Sequence, residues 1–89
     1  MLCEAMPSVT IYTSQPCRYC TGAKALLAQR GIEYEEINLS MDPDGRAELA
    51  RTTGMMTFPQ IVIGEHTLGG FDELRVADYT GRLIELLAA

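Results

Sequence analysis

Two thiols three positions apart, in Cys17-Arg18-Tyr19-Cys20, are the residues of this 89-residue chain best suited to covalent chemistry. The stretch before them, Ser8 to Thr13, alternates Val9 and Ile11 with Thr10 and Tyr12, the period of a strand. The stretch after them, Arg18 to Arg30, repeats apolar side chains at Ala23, Leu26 and Leu27 with helical spacing. Cys17 is thereby expected at the mouth of a helix. There, unpaired N–H groups and the positive end of the dipole stabilise a thiolate. Such a cysteine has its pKa drawn below the free value of roughly 8.5, and Arg18 adds permanent positive charge beside it. Cys20, one turn further in and better shielded, is near enough to attack a mixed disulfide on Cys17. The roles follow: Cys17 attacks and Cys20 resolves.

The same spacing also serves as half of a zinc site. Zinc takes about four ligands. The remaining candidates are Cys3, near the start of the chain, and His66, in an expected hairpin; there is no second paired motif. Redox chemistry is therefore preferred to metal binding. Three cysteines cannot all pair within one chain, so Cys3 reads as an incidental tail thiol, open to an intermolecular disulfide under oxidation. His66 reads as an exposed hairpin residue.

The elements that must hold the two thiols can be traced along the chain. Gln15-Pro16 ends the first strand, and Gly31 is a natural residue just past the first helix. Ile32 to Leu39 carries Ile32, Tyr34, Ile37 and Leu39 as a second strand, with a phase slip between Tyr34 and Ile37 that fits either a bulge or a strand end. Asp42 as N-cap and Pro43 at N1 start a helix that runs to about Thr53 and stops at Gly54. Its apolar face (Ala47, Leu49, Ala50) is thin, which suits a surface helix. Pro59 to Ile63 and His66 to Leu68 form a hairpin around Gly64-Glu65. A further helix begins near Asp72 with Leu74 and Ala77 facing inward. After a break at Gly81, Leu83, Ile84, Leu86 and Leu87 form a last apolar stripe.

The order is β-α-β-α-β-β-α. Its opening strand, helix and strand favour a right-handed crossover with two parallel strands, and the hairpin adds an antiparallel part. The expected α/β architecture is a four-stranded mixed β-sheet flanked by helices, a thioredoxin-like layout. At this length there is room for one domain, residues 1–89, with 1–7 as an N-terminal tail.

The composition, 47% apolar and 21% charged, suits a globular core. A formal net charge of −5 argues against a broad nucleic-acid footprint, which would need a basic face. No apolar run approaches the roughly 18 residues of a membrane span, and no leader pattern opens the chain. The expectation is a cytoplasmic protein that binds neither nucleic acid nor membrane.

From about Ser8 to Leu87 the sequence resembles the glutaredoxins. Three segments carry the match: Ile11-Tyr12-Thr13 leading into Cys17-Arg18-Tyr19-Cys20, then Thr57-Phe58-Pro59-Gln60-Ile61-Val62-Ile63, then Gly69-Gly70-Phe71-Asp72-Glu73-Leu74. The resemblance implies a glutathione-dependent thiol–disulfide oxidoreductase acting on protein disulfides and protein–glutathione mixed disulfides. It implies a cis Phe58–Pro59 bond, with the main chain of Phe58 offered to the cysteinyl part of glutathione. Gly70-Phe71-Asp72, opening a helix, would receive the γ-glutamyl carboxylate. Asp72 would meet the ligand's ammonium group and also cap the helix. Arg18, Tyr19, Thr57 and Pro59 complete the implied glutathione-binding set; on residue type alone, Arg18 and Tyr19 read equally as surface residues and Thr57 as a strand residue.

The sequence also departs from the family pattern. Arg18 stands where many dithiol relatives have proline, Ser14 where many have lysine, and Met55 or Met56 where an arginine is often found. Two cations for the glycyl carboxylate of glutathione are thus missing, and Arg18 is the nearest substitute. Two other functions fit the resemblance. One is a homodimer bridging a [2Fe–2S] cluster through Cys17 thiolates and two glutathione molecules, since proline after the first cysteine disfavours cluster assembly in this family. The other is an electron donor served by a flavoprotein reductase. A monomer is expected unless such a cluster bridges two chains.

Overall fold

The first strand, β1 (Val9–Thr13), lies inside the sheet and is buried along its whole Val9, Ile11 and Thr13 face. A computed structural model describes residues 7–15 and 17–88. Cys3, Pro16 and all but Pro7 of the expected tail lie outside the described residues. The remaining elements are α1 (Arg18–Gln29), β2 (Glu35–Asn38), α2 (Pro43–Thr53), β3 (Gln60–Ile63), β4 (His66–Gly69), α3 (Phe71–Thr80) and α4 (Arg82–Ala88). The strand order is β2-β1-β3-β4. β1 pairs in parallel with β2 (Thr10 opposite Glu35, Thr13 opposite Asn38) and antiparallel with β3 (Val9 opposite Ile63, Tyr12 opposite Gln60). The β3–β4 hairpin is antiparallel, with an irregularity between Ile61 and Val62. This is the thioredoxin-like, four-stranded mixed sheet with flanking helices that the pattern predicts.

The core explains the order. Val9, Ile11, Ile61 and Ile63 from the two central strands meet Ala23 and Leu27 of α1, Leu74 and Ala77 of α3, and Leu83 of α4. Side chains of a strand alternate between faces. Gln60 and Val62 therefore point away from that core, and Arg46, Ala47 and Ala50 of α2 border a hollow with Gln60 on this second face. Leu49 is the one buried residue of α2, in keeping with its thin apolar stripe.

Several boundaries differ from the sequence pattern. The second strand covers Glu35–Asn38 instead of Ile32 to Leu39, because the Ile32 N–H is taken by the Leu27 carbonyl at 2.9 Å as the chain leaves α1 through Gly31 (φ +69°). Ile32 and Tyr34 still pack against the core, as loop residues. The phase slip thus marks an end of the strand, the one at which β2 begins, and not a bulge. Asp72 is not the N-cap of α3. Gly70 occupies that position, and the Glu73 carboxylate accepts its N–H at 2.8 Å. Ile84 is 72% exposed and does not belong to the last apolar stripe. Gly81, at φ +87°, divides α3 from α4 at the break expected there.

Candidate active site

Cys17 is the N-cap of α1, in extended conformation, and its Sγ accepts the N–H of Cys20 at 3.1 Å. That bond is the local form of the anion-stabilising helix mouth, because it aims an unpaired first-turn donor at the sulfur. No acidic residue stands in the first turn to oppose it. Cys17 and Cys20 form a disulfide, with Cα atoms 5.2 Å apart. Cys17 is half-buried while Cys20 is 3% exposed. A thiol partner arriving from solvent therefore meets Cys17.

Two hollows flank this end of the molecule. One, about 180 Å³, is lined by Tyr19, Thr57, Phe58, Pro59, Gly70, Phe71, Asp72 and Glu73. The Phe58–Pro59 bond beside it is cis. Phe71 seats its ring against α1, so closely that a methyl group on Gly22 would lie 2.9 Å from the ring. The Tyr19 and Phe71 rings stand 6.4 Å apart, and the Arg75 guanidinium lies 5.6 Å from the Phe71 centroid. Arg75 also pairs with Asp72 at 3.5 Å. Seven of the eight residues that the resemblance links to glutathione thus line one hollow. The eighth, Arg18, is exposed and lines neither this hollow nor the next.

The second hollow, about 460 Å³, includes both cysteines, Thr13, Ser14, Lys24, Glu36 and Asn38 in its lining. Lys24 donates to both carboxylate oxygens of Glu36 at 3.2 Å, and the Thr13 hydroxyl donates to Glu36 Oε2 at 2.8 Å. The Thr13 hydroxyl, helped by the Lys24 ammonium, holds the Glu36 carboxyl below the usual carboxylate range against the opposing effect of desolvation. Sequence reasoning passed over this polar cluster. Lys24 lies one helical turn beyond Cys20, which was a readable signal; Glu36 comes from β2, and only the strand register brings it there.

Gln60 was likewise passed over as a site residue. Its side-chain amide donates to the carbonyls of Met55 and Thr57, both at 3.0 Å. Met56 is 82% exposed, whereas Met55 is half-buried beside Phe58 and Gln60. His66 is exposed on β4, as expected. Among the described residues no three His, Cys, Asp or Glu side chains converge where a metal ion could sit, and no helix is long and apolar enough to cross a membrane.

Comparison with known proteins agrees with this geometry. The Glutaredoxin family model matches residues 9–68. A glutaredoxin of Pseudomonas aeruginosa is 48% identical over 84 residues, covering 94% of this chain and 100% of that one. The solution structure of glutaredoxin from Brucella melitensis superposes with a TM-score of 0.83 at 46% identity, covering 94% of this chain and 91% of that one. A crystal structure of a buckwheat glutaredoxin–glutathione complex does so with a TM-score of 0.83 at 30% identity, covering 92% and 77%. With a disulfide-bonded Cys17–Cys20 pair at the helix mouth, a family model matched over residues 9–68 and a relative matched along its whole length, this chain belongs to the glutaredoxin family of thiol–disulfide oxidoreductases.

Proposed function

We propose that the chain uses glutathione as its reductant and acts on protein–glutathione mixed disulfides as well as on protein disulfides. The observation that carries this reading is the 180 Å³ hollow, whose walls combine Tyr19 from the Cys17–Cys20 turn, the Thr57-Phe58-Pro59 loop and the first turn of α3. A tripeptide with a thiol at its centre and a carboxylate and ammonium at one end matches that sequence of walls. The Phe58 main chain takes the cysteinyl part, the N–H groups at the start of α3 take the γ-glutamyl carboxylate, and Asp72 takes the ammonium. The buckwheat relative solved with glutathione supports the same choice of ligand.

In this cycle the Cys17 thiolate attacks the glutathione sulfur of a mixed disulfide, and the substrate protein leaves as its thiolate. A second glutathione then attacks the glutathione sulfur held on Cys17, forming glutathione disulfide and restoring the Cys17 thiolate. In the alternative closure the Cys20 thiolate attacks Cys17, expels glutathione and forms the intramolecular disulfide, which two further glutathiones reduce. The partners are glutathione and glutathionylated or disulfide-bearing proteins, met by a monomer in the cytosol.

Turnover of a glutathionylated peptide tests this, using anaerobically purified protein with glutathione, glutathione reductase and NADPH, after its visible spectrum has been recorded. Steady turnover by a colourless protein is the expected result. Little turnover from a brown, glutathione-dependent dimer would assign the chain to [2Fe–2S] carriage instead. Turnover only with a flavoprotein reductase in place of glutathione would assign the third function. Glutathione binding is expected to be weaker or differently oriented than in a typical relative, because Ser14, Met55 and Met56 stand where cations are common. Titrating glutathione against the wild type and Arg18→Ala measures the remaining cation's share; equal affinities would remove Arg18 from the site.

A further inference from the structure

We infer that Gln60 is a positioning residue for the substrate hollow, a role that rests on the reading of that hollow as the glutathione groove. Gln60 opens β3 directly after the cis Phe58–Pro59 bond and is 1% exposed. Its Nε2 donates to two main-chain carbonyls of the preceding loop, Met55 and Thr57, each at 3.0 Å. Its Oε1 is buried and has no hydrogen-bond partner among the described residues. A buried polar atom without a partner is costly and uncommon in folded proteins. The amide is therefore poorly suited to stability alone. What it accomplishes is geometric: two N–H bonds from one rigid, strand-held group draw the loop into a curl.

The next residue in that loop, Phe58, is the one whose main chain faces the thiol-bearing part of the ligand. Met55 and Thr57 bracket the approach to it, and both are tied to the same nitrogen. The strand end is itself fixed, since Gln60 pairs with Tyr12 of the central strand that leads to Cys17. One side chain thus links the position of the Phe58 peptide to the strand that delivers the nucleophile. Two donors on one nitrogen are required for this, and the carbonyl half of the amide is not.

Gln60→Met tests that requirement, because it keeps the length of the side chain and removes both the donors and the unpartnered acceptor. Thr57 is exposed and Met55 half-buried, and water is expected to take the place of the Gln60 donors at their carbonyls. The expected result is a KM for a glutathionylated peptide raised about tenfold, a loss of roughly one hydrogen bond's worth of binding, with a thermal midpoint within a few degrees of wild type. Gln60→Glu, which turns an oxygen toward both carbonyls, is expected to raise KM further. An unchanged KM in folded Gln60→Met would overturn the inference while leaving the glutathione reading intact. A wild-type KM no better for a glutathionylated peptide than for the same peptide carrying a mercaptoethanol mixed disulfide would instead remove the reading itself. A measurement on the wild type needs no variant to fold. The Gln60 side-chain amide protons should exchange with solvent more slowly than those of exposed Gln29, and equal rates would also overturn the inference.

Discussion

Cys17 and Cys20 carry the same functional group in different surroundings. Cys17 accepts a first-turn N–H at the open end of α1, and Cys20 is almost fully enclosed one turn later. Within the proposed cycle Cys17→Ser should abolish turnover of every disulfide substrate. Cys20→Ser should keep removing glutathione from a glutathionylated peptide while losing the intramolecular disulfide, which mass spectrometry of the oxidised protein reads directly. Residual turnover in Cys17→Ser would overturn the assignment of the nucleophile. The Thr13–Glu36–Lys24 cluster permits a second prediction at this scale. Because the Glu36 pKa is lowered in the folded state, its contribution to stability is present above the usual carboxylate range and is lost as pH falls through the lowered value. Thr13→Val removes the largest cause of that shift. The Glu36 titration, followed by carboxyl NMR, should move upward, and the loss of stability between neutral and acidic pH should become smaller.

At the scale of elements, local signals worked where a single residue type does the job. Asp42 caps α2 as expected, its carboxylate accepting the Gly45 N–H at 2.9 Å, and Gly54 ends the helix at φ +77°. Asp42→Ala should cost about 1 kcal/mol, seen as a lower urea midpoint with an unchanged slope. Turnover should hardly change, since α2 contributes nothing to the lining of either hollow beside the cysteines. The start of α3 was harder to read. Asp72 is a good capping residue by type, but Gly69 at φ +127° turns the chain one step earlier and lets Glu73 fold back on the Gly70 N–H. Asp72 is consequently an exposed residue of the first turn, paired with Arg75 on its outer side. The second strand was overextended for a related reason. Ile32 and Tyr34 are apolar because they close the core, and the hydropathy pattern does not distinguish a loop residue packed on a core from a strand residue.

Across the whole molecule, one cluster of aliphatic side chains from β1, β3, α1, α3 and α4 supports both walls of the site. Leu27 is fully buried at its centre. Leu27→Ala should destabilise the protein by about 2–5 kcal/mol, a large part of the roughly 5–15 kcal/mol available to a domain. A urea titration measures it, and a loss below 1 kcal/mol would mean that the helices do not share this core. Arg30 and Asp78 add a bidentate ion pair, both bonds 2.8 Å, between the end of α1 and α3. Each partner strengthens the charged form of the other, so this link also weakens in acid as Asp78 protonates.

The order of elements through α3, and the placement of Cys17 at a helix mouth with Cys20 one turn inside, were legible in the sequence, because each depends on neighbours close in the chain: a period of two or of 3.6, a cap, a three-residue spacing. So were seven of the eight residues that line the 180 Å³ hollow, through three short segments read together; Arg18, expected with them, is not in the lining, and Glu73 is. What the tertiary structure decided is how distant segments meet. The curl that ties Gln60 to Met55 and Thr57, the register that sets Glu36 beside Lys24, and the solvent-facing position of Arg18 all depend on packing between elements. Hydrophobic periodicity specifies which face of an element is buried; it does not specify which polar side chains of two different elements end up within hydrogen-bond distance.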